Sequence, residues 1–530
     1  MAVIDTAPET AATHAATAVA RIEPTGFAAL LGTGDHKVIG RLYIATSLLL
    51  GAVVMLLGLL FSIEAVDTGS LSIFTKDTVF QFWTLLRVGG VFLLAFPLVI
   101  GVAMVVVPLQ VGAKAIAFPR AAAASYWAFL LGAGLFLASY AINGGPGGGS
   151  NTGVNLWIAS LGLIVVAILL AAVCLATTVF ALRQTGLTMN RIPLYAWSVA
   201  VAAVMWLLTL PVLVGVLVLM YVDHRHGGST FGDNASLFNH LDWVLRNPQV
   251  YVVAVPVLGF AADVLATTAK ARIAPRFAAQ GAIGAFGIFG FGAFLAGADA
   301  HDHKAWVVIA LGVAALLPVL AILGLAGDLF RRGSFAFNPA VGYAVAGLLI
   351  LLLTVAAGAL GSFPGLETYG TIFDVGVSTG ALLATLIASL GAITWWATKI
   401  GRQPVAKGPA AVAPVALLLG SAAIILPDLI AGLIGDGPPS TELSPSWVGG
   451  IEGVNVVAVV GVLLLLLGVV ASLAAFVPII RTPDQPAEAD PWEGQSLEWL
   501  APSPPPLDNF DIELPVVVSA EPLVDLREEK

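Results

Sequence analysis

Charged side chains are scarce in this chain of 530 residues. They make up 10% of the residues, whereas apolar residues make up 58%, and the mean hydropathy is +0.96. So few charges cannot keep the surface of a large globular body in water, and apolar runs of about 20 residues recur along the sequence. The composition therefore excludes a soluble globular protein and predicts a polytopic membrane protein.

Cysteine is also scarce, and the single example, Cys174, lies inside an apolar run. One thiol excludes an internal disulfide framework and a metal site built from several cysteines. A secretory signal is missing as well, because the Ala- and Thr-rich start of the chain has no basic segment followed by an apolar one. We therefore predict that residues 1–30 form a disordered cytoplasmic lead.

Histidine is the third scarce residue, and none of the seven lies in the middle of an apolar run. They are His14, His36, His224, His226, His240, His301 and His303. Paired loop histidines such as His224 with His226, or His301 with His303, could bind zinc, but a solvated polar loop is the alternative. The sequence leaves that choice open and predicts no metal or other cofactor in the membrane.

Long apolar segments are abundant, and we count twelve that can each cross about 30 Å of hydrocarbon as a helix. They cover roughly residues 38–65, 82–108, 124–142, 154–182, 193–222, 248–268, 277–298, 305–329, 337–361, 370–397, 409–435 and 451–479. Helices are expected because a spanning segment must satisfy its own backbone groups. The sequence thus predicts an all-α transmembrane domain over residues 31–480, followed by a Pro-rich, acidic cytoplasmic tail over 481–530.

Basic residues predict the orientation of these spans. With the N-terminus in the cytoplasm, the outer loops carry only Lys76, Arg225, Arg246 and Lys304, and Arg87 lies inside a span. All other basic residues then fall on the inner side. We therefore expect an integral protein of a bacterial-type plasma membrane with both termini cytoplasmic, with the lipid bilayer and no nucleic acid among its partners.

Five strings between the apolar segments are too specific for ordinary loops. They are GDHKVIGRLYIATS (34–47), VPLQVGAKAIAFPRAAAASYW (107–127), TMNRIPLYAWSV (188–199), LDWVLRNPQVYVVAVPVLG (241–259) and DPWEGQSLEWLAPSPPPLDNF (490–510). In wording and order they resemble strings of cytochrome c oxidase subunit I, in the haem-copper oxidase family. The resemblance implies a twelve-helix bundle of the subunit I type.

Members of that family use six histidines, two on a low-spin haem, one on a high-spin haem and three on copper. Matching motif by motif, the position of the second-helix haem ligand is Leu86, and a copper ligand position is Asn247. The tenth-helix haem positions are Ile372 and Asp374, and the paired copper histidines would fall in Gly290–Ala298, which contains no histidine. The resemblance therefore implies a fold whose metal ligands are replaced.

Two other positions follow Asn247 in the same string, and only one of them keeps the residue of the family. The glutamate of the family motif is Gln249 here, whereas its tyrosine is retained as Tyr251. Without a neighbouring histidine, we interpret Tyr251 as an ordinary buried tyrosine and not as a redox group.

Arg87 stands beside the replaced ligand Leu86, and Asp374 is the replaced ligand on the tenth helix. A cation inside a span costs at least about 2.5 kcal/mol at full membrane depth, so it needs a partner. We predict an Arg87–Asp374 ion pair that joins the second and tenth helices. The alternative is that Arg87 extends to the outer interface and Asp374 is hydrated.

Three functions remain in competition at this point. The first is a catalytically inactive homologue that acts as a membrane scaffold or accessory subunit beside other oxidase-type subunits of a respiratory-type complex. The second is a working terminal oxidase that passes electrons from cytochrome c to oxygen and pumps protons. The third is a transporter that uses the vacated haem cavities. The replaced ligands favour the first.

Overall fold

The computed structural model describes residues 26–66, 73–75, 78–234, 236–293, 305–334, 337–438, 451–481 and 487–528. The chain divides into two units, residues 1–33 and 34–530. Within the first unit the described residues form one short helix, Phe27–Leu31. Most of the lead predicted for residues 1–30 lies outside the described residues.

In the second unit the described residues form twelve helices of 14 or more residues. They are α1 (His36–Glu64), α2 (Val79–Gln110), α3 (Pro119–Ala141), α4 (Asn151–Ala181), α5 (Leu194–Arg225), α6 (Gln249–Thr268), α7 (Arg276–Phe289), α8 (Ala305–Arg332), α9 (Pro339–Gly361), α10 (Ile372–Trp395), α11 (Lys407–Leu433) and α12 (Glu452–Phe476). A π-helical stretch, Gly90–Ala95, lies within α2. The first turns of α6, Gln249–Ala254, are 3₁₀-helical.

Eleven helices of the described residues are long and apolar enough to cross a membrane. The twelfth, α7, has 14 described residues, and the chain beyond it, residues 294–304, lies outside the described part. The all-α polytopic fold is confirmed, and the predicted count of twelve spans agrees approximately with the eleven found.

Helices α2, α6 and α10 form the interior of the bundle. Buried residues make up 100%, 94% and 89% of their most apolar windows, against 28–61% in the other spans. Helix α10 packs against both α2 and α6, while α12 packs back against α1. Interior helices contact protein on all sides, and this explains why their apolar character extends around the whole helix.

Glycine lets neighbouring helices approach closely at two crossings. On α1 a side chain at Gly40 would meet the carbonyl oxygen of Gly101 on α2 at 2.5 Å. On α11 a side chain at Gly420 would meet the backbone nitrogen of Leu465 on α12 at 2.5 Å. Small residues at such crossings permit the backbone contact that holds membrane helices together.

The described tail residues pack on one end of the bundle, called here the tail end. Glu498, Trp499 and Asn509 are 1%, 3% and 0% exposed. Asn509 Oδ1 accepts from Lys37 Nζ at 3.0 Å, and its Nδ2 donates to the carbonyl of Ala113 at 2.8 Å. The tail was expected to be extended, but its apolar and amide side chains fill the spaces between the helix ends.

Three of the five strings that resemble the family therefore meet at the tail end. They are the start of α1, the loop after α2 and the tail. The opposite end, where α1 finishes and α10 begins, is called the cavity end.

Candidate functional site

A cavity of about 240 Å³ opens among α1, α2, α10, α11 and α12 toward the cavity end. Its walls are mostly apolar, and its charged lining residues are Glu64, Arg87, Asp428 and Asp436. Leu86 lies on its wall, so the second-helix ligand position predicted from the motif faces this space.

Of the two tenth-helix ligand positions, one lines the cavity and the other does not. Ile372 lines the cavity together with Val375 and Thr379, which follow at helical spacing on the same face of α10. Asp374 is not among the lining residues. Its Oδ2 accepts from the backbone nitrogen of Gly370 at 3.0 Å, so this carboxylate turns back toward the start of its own helix.

Arg87 on α2 makes a hydrogen bond to Ser378 on α10. The guanidinium Nη1 donates to Ser378 Oγ at 2.5 Å, one turn beyond Asp374. Ion pairs within 4 Å between described residues do not include Arg87 with Asp374. Asp374 still acts on Arg87 electrostatically, as do Asp242 and Asp428. At 7% exposure Arg87 is buried, which argues against extension to the interface.

Asp428 on α11 is the carboxylate that sequence reasoning missed. It lines the cavity, is half-buried, and acts electrostatically on Arg87 and Asp436. Within the described part of the chain it makes no hydrogen bond and no ion pair. An aspartate directly after Pro427, inside an apolar run, was the available signal, because a carboxylate at that depth is costly without a role.

Asp436 follows α11 at the mouth of the cavity. Burial raises the pKa of this carboxyl to about 6, against a smaller lowering by the backbone N–H of Gly437. Its own backbone carbonyl accepts from Ile372 N at 3.0 Å, which ties the end of α11 to the start of α10.

Of the region where the family holds copper, residues 294–298 lie outside the described residues, and the described part contains hydrogen-bonded amide side chains. Gln249 Nε2 donates to Thr209 Oγ1 at 3.1 Å, and Gln249 Oε1 accepts from Gly292 N at 2.8 Å. Asn247 Nδ2 donates to the carbonyl of Gly358 at 3.3 Å. The space beside Gln249 and Thr209 is about 10 Å³, which at most holds one water.

Tyr251, the retained family tyrosine, belongs to the same packed region. It is fully buried, and its ring stacks on Phe286 with 6.1 Å between centroids. Its hydroxyl occupies the place where a side chain on Gly358 would lie. These contacts fit the interpretation of Tyr251 as a packing residue.

The residues present do not fit the haem and copper that the family implies. Haem iron takes His, Cys, Met or Tyr as axial ligands, and Met55 is the single such residue on the described cavity wall. A low-spin haem needs a second ligand on its other face. Copper in such a site takes imidazoles, whereas the copper-ligand position here carries the amide of Asn247, which donates to the carbonyl of Gly358.

The loop histidines give no metal site among the described residues. His224 is held between two amides, with Nδ1 3.0 Å from Asn155 Oδ1 and Nε2 3.0 Å from Asn234 Oδ1. His226 is exposed. His301 and His303 lie outside the described residues.

A second buried polar group lies at the tail end and was also missed. Glu498 Oε1 accepts from Ser496 at 3.0 Å, Gln110 at 3.2 Å and Trp396 at 3.3 Å. Burial raises the pKa of Glu498 to about 7, although hydrogen bonds from Gln110 and Ser496 oppose the rise. The sequence Leu497-Glu498-Trp499 did not indicate that Glu498 would be buried between the helix ends.

Comparisons with known proteins agree with this architecture. The family model for cytochrome C and quinol oxidase polypeptide I matches residues 38–464. The chain is 27% identical to a cytochrome c oxidase subunit 1 of Corynebacterium diphtheriae, covering 94% of this chain and 91% of that one. It is 29% identical to a protein described as a cytochrome c oxidase subunit 1-beta of Streptomyces coelicolor, covering 93% and 89%.

A solved structure supports the fold. The chain matches one from a heme-copper terminal oxidase dimer with a TM-score of 0.66 and 14% identity, covering 84% of this chain and 85% of that one. At that identity the likeness concerns the fold alone.

Proposed function

Because the chain belongs to the family of cytochrome c and quinol oxidase polypeptide I, we propose that it is a catalytically inactive member of it. In this role it is an integral-membrane scaffold or accessory subunit of a respiratory-type complex. The observation that carries the proposal is the packed copper region, where Asn247 and Gln249 bond to Gly358 and Thr209. Oxygen reduction in such a site requires metals that these side chains do not ligate.

The metal content of the purified protein tests this proposal. We expect no stoichiometric haem and no stoichiometric copper, measured by the reduced-minus-oxidised optical spectrum and by elemental analysis. The Corynebacterium diphtheriae relative, expressed and purified in the same way, is the control for haem and copper loading. Copper near one per chain, or reduced haem bands, would overturn the proposal in favour of a working oxidase.

Docking to oxidase-type membrane subunits is the second part of the proposal. The loop after α2 and the tail expose large apolar side chains, with Phe118 57%, Leu507 70% and Ile512 52% accessible. Exposed apolar groups next to membrane helices are suited to a partner subunit. The buried tail residues hold these groups in place, so deleting the tail would damage the bundle as well as the surface.

Point variants separate docking from folding. We expect Phe118→Ser with Leu507→Ser to reduce co-purification of membrane partners while leaving the thermal midpoint of the chain within a few degrees. The matched control is Leu49→Ser, since Leu49 is 71% exposed on the membrane-facing side of α1. Unchanged co-purification with the double variant would contradict this docking surface.

A further inference from the structure

The cavity is long and narrow, and it becomes apolar with depth. Its lining residues on α10 run from Ile372 to Leu386, fourteen positions apart, or about 21 Å along the helix. Leu94 on α2, Leu386 on α10 and Leu465 on α12 line the deep part. A cavity of about 240 Å³ that extends over that length has room for a hydrocarbon chain.

The charged groups follow one another in a fixed order toward the mouth. Arg87 is eight residues from the start of α2, about 12 Å below the cavity end. Asp428 is five residues from the end of α11, about 8 Å below it, and Asp436 lies beyond that helix. Glu64, the last residue of α1, also lines the cavity at this end. From the deep end outward, a ligand therefore meets apolar walls, then a cation, then three carboxylates.

These charges retain unused binding capacity. A guanidinium has five N–H groups, and Arg87 donates one hydrogen bond, to Ser378. Arg87 lines the cavity, and no hydrogen bond from its Nε or Nη2 to another described residue is formed. Asp428 makes no hydrogen bond or ion pair to any described residue. A half-buried carboxylate and a buried guanidinium that line the same cavity, with no ion pair between them, are suited to a ligand that bridges them.

We propose that this cavity binds a membrane lipid whose headgroup carries a phosphate followed by a protonated amine. One acyl chain occupies the deep apolar part. The phosphate accepts from Arg87, and the ammonium group, which is further from the chain, donates to Asp428 and Asp436. The order of groups in such a lipid is the order of side chains along the cavity.

Charge complementarity decides between this lipid and the others. An anionic lipid without an amine satisfies Arg87 but adds a negative charge near Asp428 and Asp436. A quaternary ammonium headgroup has the right charge but no N–H to donate to a carboxylate. The proposal goes beyond the scaffold role, which would stand even if the cavity bound nothing.

Native mass spectrometry of the whole chain in phosphatidylcholine nanodiscs tests the proposal. The probes are phosphatidylethanolamine and phosphatidylglycerol with identical acyl chains. We expect one phosphatidylethanolamine per chain to survive removal of the bulk lipid, bound about tenfold more tightly than phosphatidylglycerol, because a hydrogen bond to a charged group is worth a factor of that size. Equal retention of the two lipids overturns the proposal, since it indicates surface lipid only.

Two variants locate the bound lipid. Asp428→Asn is expected to lower phosphatidylethanolamine retention about tenfold, toward the phosphatidylglycerol level, while phosphatidylglycerol is unchanged or binds better. Gly58→Leu fills the cavity, because a side chain there would first contact Leu86 at 3.8 Å and extends into open space. It is expected to abolish retention of both lipids.

Gly134→Leu is the matched control for the filling variant. Gly134 on α3 is exposed, has open space around it and lies away from the cavity. We expect it to retain phosphatidylethanolamine at the wild-type level. Wild-type retention by Gly58→Leu, with its fold confirmed by an unchanged thermal midpoint, places the lipid elsewhere and overturns the proposal.

Discussion

The two ends of the bundle differ in how many hydrogen bonds their buried cationic side chains make. At the tail end Lys399 Nζ donates to the carbonyls of Ala489 at 2.8 Å and Ala501 at 2.5 Å and to Ser503 Oγ at 3.2 Å. Lys37 is satisfied in the same manner by Asp35 and Asn509. At the cavity end Arg87 makes one hydrogen bond to a described residue. The lysines of the tail end are fully hydrogen-bonded, although Glu498 Oε2 has no partner among the described residues, whereas the cavity end retains open space beside Arg87 and Asp428.

The strings at the tail end include packing contacts between helix ends, and these contacts are needed whether or not a metal is bound. The proposed loss of metal chemistry would leave them unchanged.

The cavity end itself contains two spaces of different size. The space beside Leu86 has about 240 Å³, while the space beside Gln249 has about 10 Å³. The amide of Gln249 bonds to Thr209 and Gly292 across the smaller space, whereas the side chain of Leu86 cannot form such bonds.

Comparing the two ends of the bundle predicts the largest loss of stability for a substitution of Asn509, where three tail-end strings meet. Asn509 Oδ1 lies 3.0 Å from both His36 Nε2 and Lys37 Nζ, and Asn509 Nδ2 donates to Ala113. Asn509→Ala leaves these buried groups without partners, and we expect it to lower the free energy of unfolding by about 3 kcal/mol. Denaturant unfolding in mixed micelles, followed by tryptophan fluorescence, measures the change.

Asn455→Ala at the cavity end is the counterpart. Asn455 lines the cavity and donates one hydrogen bond, to the carbonyl of Ala65 at 2.7 Å. The expected cost is about 1 kcal/mol, because one bond is lost and the cavity can hydrate the exposed carbonyl. If Asn509→Ala and Asn455→Ala lowered the free energy of unfolding equally, the two ends would not differ in how strongly their polar side chains stabilise the fold.

The spans are the part of the fold that could be predicted from the sequence. Apolar runs gave 38–65 for α1, which spans His36–Glu64, and 370–397 for α10, which spans Ile372–Trp395. Membrane spans can be recognised in a single sequence because each must be apolar along about 20 residues, whichever helices pack beside it.

The rest depends on which side chains meet, and a single sequence does not reveal this. The cavity arises where side chains of five helices fail to fill a space, and no local pattern records a void. The tail is acidic and Pro-rich, which favours an extended segment, yet Trp499 and Asn509 are buried between helix ends. Motif matching identified Leu86 as a replaced ligand position, and this residue lies on the cavity wall. The Arg87–Asp374 ion pair stays a prediction, and the sequence contains no indication of the hydrogen bond from Arg87 to Ser378.

A smaller effect is expected from the pH dependence of the tail end. The pKa of Glu498 is about 7 in the folded chain, against an ordinary value of 4.5. Between these values the folded chain keeps a proton that the unfolded chain has lost, so stability falls as the pH rises from about 4.5 to about 7 and is then level. We expect Glu498→Gln, which cannot ionise, to remove on the order of 2 kcal/mol of this dependence.

Thermal midpoints measured from pH 5 to pH 8 check this expectation. Asp508→Asn is the control, since Asp508 is exposed on the same tail and its removal should leave the slope of the wild type. If Glu498→Gln keeps the full wild-type slope, Glu498 does not titrate in this window, and the tail end is not the source of the dependence.

The smallest effect is expected in the group of charged residues around Arg87 at the cavity end. Asp374 and Asp428 both act on Arg87 without contacting it within 4 Å. If Asp374 is the functional partner, the predicted pair forms by a shift of Arg87 away from Ser378. A lipid phosphate at Arg87 would instead leave Asp374 uncoupled.

A double-mutant cycle of Arg87→Leu with Asp374→Asn resolves this, with Arg87→Leu and Asp428→Asn as the matched cycle. We expect a coupling free energy of about 1 kcal/mol between Arg87 and Asp374 in delipidated micelles, because the two charges attract across a partly desolvated gap. Unfolding midpoints of the four proteins in each cycle give the value. A coupling within about 0.3 kcal/mol of zero, which is the usual limit of additivity, ends the proposed pair and leaves Ser378 as the sole link between α2 and α10 at Arg87.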